Sequence, residues 1–285
     1  MILHKAQRII IKDNHRFKVL RAGRRFGKTI LAIEQMVFEA ISTKDARVVY
    51  VSPTFQSSRD IAWEGLKKRI ADIKTAQINE TRLEVELPNA HKGTSKILLR
   101  SWDSVETLRG QFFDLIILDE IAHVKDFWSN WQEVLRPTLT DRKGRAMFIS
   151  TPVGFNSFYD LCNLELTDKD YKTFHFTSFD NPFLPKDELE SAKATLPEDR
   201  FAQEYLADFQ KTEGLVFKEF RRDKHLYDEL PYRDPMWQKP FEKYGAVDFG
   251  FRNPAAVLDL RFEGESIFIE DEWYKRQRTD VQIAE

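Results

Sequence analysis

Cysteine is nearly missing: Cys162 stands alone in 285 residues, which excludes an intramolecular disulfide framework and suits a reducing cytosol. In the setting Leu161-Cys162-Asn163-Leu164 it reads as a small buried hydrophobe, not as a nucleophile. No apolar run approaches the roughly 18 residues of a membrane span and no signal peptide is visible, so neither a membrane nor a secreted protein is expected. Excess charge of one sign is also missing. The 44 basic and 46 acidic residues leave a formal charge of −2, whereas a protein that coats nucleic acid is usually strongly basic. Contact with DNA would have to rest on local patches such as Lys67-Lys68-Arg69, Arg221-Arg222 or Lys275-Arg276-Gln277-Arg278, each of which otherwise reads as a solvated face. The six histidines have no ligand spacing, which argues against a zinc site. Internal repeats and low-complexity tracts are absent. With 42% hydrophobic and 32% charged residues, the chain suits a globular, soluble protein of one large or two moderate domains.

What is present begins with Ala22-Gly23-Arg24-Arg25-Phe26-Gly27-Lys28-Thr29. It follows the phosphate-binding pattern G-x-x-x-x-G-K-[ST], with Ala22 in place of the first glycine. Alanine takes φ > 0 less freely than glycine, so the departure weakens the match. The flanks fit. Phe17-Lys18-Val19-Leu20 predicts a strand, and Ile30, Ile33, Val37 and Ile41 recur at helical spacing after Thr29. A strand, a tight loop and a helix gather backbone N–H groups and a helix N-terminus around one point, a geometry that binds phosphate. Lys28 would reach the β/γ-phosphates and the Thr29 hydroxyl would take a place on Mg²⁺. The bland alternative is a basic turn before an amphipathic helix.

Phe113-Asp114-Leu115-Ile116-Ile117-Leu118-Asp119-Glu120 counts against that alternative. Leu115–Leu118 suits a strand buried on both faces of a parallel sheet. Asp119 and Glu120 then fall at its C-terminal end, where α/β sheets bind ligands. One carboxylate, Asp119, would hold Mg²⁺ through water, and the second, Glu120, would orient or deprotonate the attacking water. A site that only binds nucleotide does not need the second acid.

Residues 1–210 alternate strand and helix, which argues a mainly parallel, three-layer α/β sheet. Strands are expected at Phe17–Leu20, Arg47–Ser52, Lys96–Ser101, Asp114–Asp119, Ala146–Ser150 and Tyr171–Phe176. Helices are expected at Lys28–Ser42, Ser57–Ile73, Asp126–Leu135, Ser157–Leu164, Lys186–Leu196 and Glu198–Phe209. Ile78–Leu87 and Ser95–Ser101 read as an antiparallel insertion around the turn Pro88–Gly93. Residues 211–243 are charged, aromatic and irregular, a connector, and three strands follow at Tyr244–Phe249, Ala255–Phe262 and Ser266–Trp273, the last two joined as a hairpin by Glu263-Gly264-Glu265. Three strands without a covering helix do not make a stable domain alone, so a truncated chain, or packing of those strands on the first domain, is expected.

Smaller constellations surround the two acids. Ser150-Thr151-Pro152 ends an apolar strand and can sense a γ-phosphate; Ser52-Pro53-Thr54 offers the same chemistry more weakly. Gln7, upstream of the first strand, can meet an adenine edge or be a plain surface residue. Arg109, beside Gly110, can be a charge-stabilising finger or an ordinary surface arginine. His123 has no partners at ligand spacing, and a helix-start hydrogen bond is its simpler role. Asp248, the acid of the apolar strand Ala246-Val247-Asp248-Phe249, can bind a divalent metal for phosphodiester cleavage or be structural. Glu270-Asp271-Glu272 lies on the third strand, where alternation lets at most two join one site.

Together these residues resemble the large terminase subunit, the DNA-packaging motor of tailed bacteriophages. The likeness runs in order through Gln7, Ala22–Thr29, Val51-Ser52-Pro53-Thr54, Leu108-Arg109-Gly110, Leu115–Glu120, Ser150-Thr151-Pro152-Val153-Gly154, Asp180–Pro185, Gln203-Glu204 and Val247-Asp248-Phe249-Gly250-Phe251. It implies a RecA-like P-loop ATPase domain of the additional-strand catalytic-glutamate class over 1–210, with a helical subdomain near 180–210. It further implies a linker over 211–243 and the first strands of an incomplete RNase H-like nuclease over 244–285. ATP and Mg²⁺ are the implied cofactors, with Mg²⁺ or Mn²⁺ for the nuclease. Gln7 and residues Ala22, Gly23, Arg24, Arg25, Phe26, Gly27, Lys28 and Thr29 would bind nucleotide, Arg24 touching phosphate. Thr29 and Asp119 would hold Mg²⁺. Glu120, Arg109 and Arg24 would be catalytic, with Arg109 supplied by a neighbouring subunit. Ser150, Thr151 and Pro152 would couple hydrolysis to movement, and Asp248 would be the first nuclease metal ligand. The implied partners are double-stranded DNA, the portal protein, a small terminase subunit and further copies in a ring, with a monomer in solution also open. The implied setting is the host cytoplasm, docked on the procapsid. Family nucleases use further acids downstream, so a chain ending at Glu285 is expected to hydrolyse ATP without cutting plasmid in Mn²⁺. Two rivals remain: a helicase-like DNA-dependent ATPase, suggested by Asp119-Glu120-Ile121-Ala122-His123, and a non-hydrolysing nucleotide-binding assembly protein.

Overall fold

An eight-stranded sheet organises the first part of the computed structural model, which describes residues 2–210, 222–227, 242–249, 255–263 and 266–275. Two units are distinguished, Met1–Leu215 and Val216–Glu285. In the first, α1 (Lys5–Lys12), β1 (Phe17–Ala22), α2 (Lys28–Ser42) and β2 (Arg47–Ser52) are followed by a helix over 55–70. Next come β3 (Gln77–Asn79), β4 (Glu84–Pro88), β5 (Thr94–Ser101), β6 (Leu115–Asp119), a helix over 127–139, β7 (Arg145–Ser150), the helix Ser157–Asn163 and β8 (Tyr171–Phe176). The helices Lys186–Thr195 and Glu198–Glu204 complete the unit.

The strand order is β3-β4-β5-β2-β6-β7-β1-β8. From β5 to β8 every pairing is parallel, and β4 and β3 add antiparallel at the β5 edge. Side chains of a strand alternate between faces, so each parallel strand feeds two cores. Leu20, Val48, Tyr50, Ile117 and Ile149 pack with α1, α2 and the helix 55–70. Their neighbours Val19, Val49, Val51, Leu118 and Phe148 pack on the other face with the helices 127–139 and Ser157–Asn163. The result is the three-layer α/β architecture expected from the alternation of elements, with all parallel strands ending on one edge.

Several boundaries differ from the sequence expectation. α1 has no counterpart in it. Ile78–Leu87 is not one strand: the Asn79 side chain accepts the Arg82 N–H at 3.0 Å and Leu83 takes φ +51, which breaks it into β3 and β4. Ser95–Ser101 pairs antiparallel with β4 and also parallel with β2, so it belongs to the main sheet. The last helix stops at Glu204, not Phe209, with Ala207 left-handed at φ +58.

In the second unit β9 (Glu242–Asp248), β10 (Ala255–Glu263) and β11 (Ser266–Lys275) form an antiparallel sheet ordered β11-β10-β9, and Arg222–His225 is helical. Glu263 pairs with Ser266, the register of the expected hairpin. Gly264-Glu265, the basic residues Arg221 and 276–278, Gly250-Phe251, and most of the connector 211–243 lie outside the described residues.

Candidate active site

The loop from Gly23 to Gly27 crosses the C-terminal edge of the sheet between β1 and α2, and two glycines there are sterically required. A Cβ on Gly23 would lie 2.4 Å from the Tyr205 carbonyl oxygen and 2.7 Å from Ser178 Oγ. Gly27 has φ +98, and a Cβ on it would meet Gln7 Nε2 at 2.6 Å. Ala22 still belongs to β1, in extended backbone, so its methyl group is tolerated where the motif's first glycine stands. The loop is strapped from two sides. From α1, Gln7 Nε2 donates to the Gly27 carbonyl at 2.9 Å and the His4 ring donates to the Phe26 carbonyl at 3.0 Å. From the segment after β8, Ser178 Oγ donates to the Arg24 carbonyl at 2.6 Å and Asn181 Nδ2 to the Arg25 carbonyl at 2.7 Å, while the Glu204 carbonyl accepts the Arg24 N–H at 2.7 Å.

A cleft of about 890 Å³ opens over the loop and reaches across the ends of β7, β6 and β2. Thr29, Arg24, Arg25, Asp119, Glu120 and Thr151 are among the residues lining it. Lys28 Nζ lies in its floor, donating to Thr151 Oγ1 at 2.7 Å and to the Ala22 carbonyl at 3.1 Å, and standing 3.9 Å from Glu120 Oε1. Burial lowers the Lys28 pKa, and the charges of Glu120 and Asp119 oppose the shift. Asp119 ends β6. Burial first, and then the charge of Glu120, push its carboxyl up to about 7, against the hydrogen bond from Tyr50 and the charge of Lys28. Glu120 follows in the left-handed region at φ +50, which turns its carboxylate back over the sheet edge. There Glu120 Oε2 accepts from Ser150 Oγ at 3.2 Å and from the Thr151 N–H at 3.4 Å. The turn after Glu120 is tied to the end of β7, because the Ala122 N–H donates to Ser150 Oγ at 3.2 Å and Asn156 Nδ2 donates to the Ala122 carbonyl at 2.8 Å.

Not every anticipated residue converges here. Gln7 is buried, with its amide oxygen accepting the His4 N–H at 3.0 Å and its amide nitrogen held by Gly27. Arg24 does line the cleft, with its guanidinium paired to the Glu204 carboxylate. Pro152 follows the Ser150–Thr151 pair. Arg109 is absent from the cleft lining; its guanidinium binds the Glu106 carboxylate and the Glu133 carbonyl. Asp248 lies in the second unit, exposed at the end of β9. Conversely, sequence reasoning passes over Tyr50, Asn156, Ser178 and Asn181 as site residues. A hydroxyl amid the apolar run of β2 is the available signal for Tyr50, and Asn-x-Phe at a helix start is the signal for Asn156.

Among the described residues no group of three or more His, Cys, Asp or Glu side chains is arranged to hold a metal. A nucleotide-bound Mg²⁺ asks for less, since it keeps waters and takes one or two carboxylates plus phosphate oxygens. Oxygen donors at Thr29 and Asp119, with two carboxylates facing the single ammonium of Lys28, fit such an ion.

A parallel sheet with a glycine loop, lysine and threonine between its first strand and helix, and an Asp-Glu pair on a neighbouring strand end, defines a P-loop NTPase-type fold. Residues 19–224 match the family described as Terminase large subunit, T4likevirus-type, N-terminal, and the chain belongs to this terminase large-subunit family. The terminase large subunit of Escherichia phage T5 is 30% identical over 278 residues, covering 95% of this chain and 62% of that protein. The chain therefore spans less than two thirds of that relative's length. The large terminase ATPase domain of Thermus phage P74-26 superposes with a TM-score of 0.62 at 27% identity, over 73% of this chain and 94% of the other. The large terminase of a thermophilic bacteriophage, solved in complex with ATP-gamma-S, has the same fold, with a TM-score of 0.60 at 17% identity over 99% of this chain and 72% of the other. No helix among the described residues is long and apolar enough to cross a membrane.

Proposed function

We propose that this chain is the ATP-hydrolysing part of a phage DNA-packaging motor that drives double-stranded DNA into a procapsid. The observation that carries the proposal is the meeting of Lys28, Thr151, Asp119 and Glu120 over one loop at the strand ends. ATP would lie with its phosphates on the loop N–H groups and Lys28, with Arg24 exchanging Glu204 for phosphate. Thr29 and Asp119 would hold Mg²⁺, which supplies charge neutralisation at the β- and γ-phosphates. Glu120, fixed by Ser150 and the Thr151 N–H, would orient the attacking water and take its proton. Ser150-Thr151-Pro152 links that carboxylate to Lys28 and is placed to couple turnover to movement. The ATP-gamma-S held by the large terminase of the thermophilic bacteriophage supports the choice of nucleotide. The portal, a small terminase subunit, a ring of copies docked on the procapsid in the host cytoplasm, and Asp248 as a nuclease metal ligand complete the reading. A helicase needs a second RecA-like domain, and the described strands after residue 241 form an antiparallel sheet. ATP turnover and ATP-gamma-S binding measured side by side test the proposal. Glu120→Gln should cut turnover by roughly 10²-fold or more and leave binding intact. A wild-type chain that binds nucleotide without turnover, even at concentrations where copies assemble, would instead be an assembly protein.

A further inference from the structure

Tyr50 sits in the middle of β2, opposite Ile117 of β6, and is 1% exposed. Its ring packs in the core beneath α2. Phenylalanine would fill that volume equally well, and a phenol hydroxyl inside a sheet core must find a partner. The partner is Asp119: the Tyr50 hydroxyl donates to Asp119 Oδ2. The other oxygen, Oδ1, accepts the Glu120 N–H at 2.9 Å. Each oxygen of the carboxylate thus has a donor fixed by the sheet, one from the neighbouring strand and one from the backbone of the turn that carries Glu120. Rotation of the Asp119 side chain breaks both bonds. The ring of Tyr50 is itself locked by close packing, so the hydroxyl cannot follow.

We infer that Tyr50 is a positioning residue for Asp119: its hydroxyl holds the carboxylate in the one orientation that faces the cleft and so sets the affinity for the divalent cation bound with nucleotide. The inference rests on the nucleotide–metal reading of the site. Groups that orient a metal-binding carboxylate act on metal affinity, by about 10- to 100-fold when removed. They have no contact with the nucleotide, whose metal-free affinity should be untouched.

The test is ATP-gamma-S affinity of the full 285-residue chain, measured in EDTA and across a Mg²⁺ titration. In Tyr50→Phe the Mg²⁺ concentration for half-maximal effect should rise by roughly tenfold or more, with affinity in EDTA unchanged. Asp119→Asn and the double variant close a cycle. If Tyr50 acts through Asp119, the double variant shows the same Mg²⁺ response as Asp119→Asn alone. The double variant leaves no carboxylate at position 119 to be buried without its phenol partner, so it keeps the test open should Tyr50→Phe alone fold poorly. A Mg²⁺ response equal to wild type in Tyr50→Phe, or additive losses in the double variant, overturns the role of Tyr50 and leaves the site reading standing. Wild-type affinity indifferent to Mg²⁺ overturns both.

Discussion

Two carboxylates and one ammonium meet in the floor of one cleft, Asp119 and Lys28 buried and Glu120 partly exposed, and the protonation of Asp119 follows from that. Burial and Glu120 push its carboxyl from an ordinary 3.8 up to about 7. An acid whose folded pKa is raised contributes stability that is fully present below its unfolded pKa and lost as pH rises through the folded value. For Asp119 that window runs from about 4 to 7. Asp119→Asn, which cannot ionise but sets its NH2 against one of the two donors, should therefore gain stability relative to the wild-type nucleotide-free chain as pH rises. The gain should be smallest near pH 4, grow toward pH 7 and level off above it, reaching on the order of 1–3 kcal/mol. Urea midpoints across that range would show it, and a gain that shrinks as pH rises would contradict the assignment. The loop, Lys28 and the Asp-Glu pair were legible in the sequence because their chemistry fixes both residue type and spacing. Tyr50 was not, since a tyrosine among valines on a buried strand looks like any other core aromatic. Glu120's left-handed backbone was equally hidden, because nothing in an Asp-Glu pair announces a turn between its members.

At the level of elements, α1 shows how a short segment escapes pattern reading. Lys5–Lys12 offers only eight residues after a histidine at the N-cap, so although Ala6, Ile9 and Ile10 stand at helical spacing, the segment is too short for periodicity to single it out and no common cap marks its start. It is nevertheless the brace of the phosphate loop. Lys18 Nζ donates to the Ile10 carbonyl at 2.8 Å at one end, and Gln7 joins the His4 N–H to the Gly27 carbonyl at the other. Removing the Gln7 amide leaves the buried His4 N–H without its partner, worth about 1 kcal/mol or more, while the Gly27 carbonyl keeps the Leu31 N–H at 3.0 Å. Gln7→Ala should thus lower stability by about 1 kcal/mol and weaken ATP-gamma-S binding, because Gly27 loses the side-chain contact that braces its left-handed turn from α1. Denaturation and binding on the same variant check both, and weaker binding at unchanged stability would return Gln7 to a direct ligand of the base. The helices 55–70 and 127–139 were legible as helices from their periodicity. The wide turns at Ser58–Trp63 and Asn130–Leu135 were not, since a π-turn adds no residue type that a sequence displays.

The scale of the whole molecule returns to Arg109. The alternation of strands and helices and the order of motifs made the fold and family legible, yet a residue proposed to act on another copy cannot be placed from one chain. Within this chain the Arg109 side chain is half exposed, held by Glu106 and the Glu133 carbonyl, and neither of those residues lines the cleft. An arginine serving the γ-phosphate of its own chain would be expected at the cleft wall. One serving a neighbour would be exposed on the outside, as this one is. Arginine fingers are worth about 10³–10⁵ in rate, so Arg109→Ala should lose turnover on that scale while binding ATP-gamma-S as the wild type does. Glu120→Gln should be equally inactive for a different reason, since its cleft lacks the base but its Arg109 is intact. Mixing the two inactive variants at concentrations that favour assembly then decides the matter. At interfaces where a Glu120→Gln copy presents Arg109 to an Arg109→Ala cleft, the site is complete, and turnover should reappear in proportion to such interfaces. A mixture that stays as inactive as its parts, under conditions where the wild type's specific activity rises with concentration, would mean that Arg109 does not act across copies.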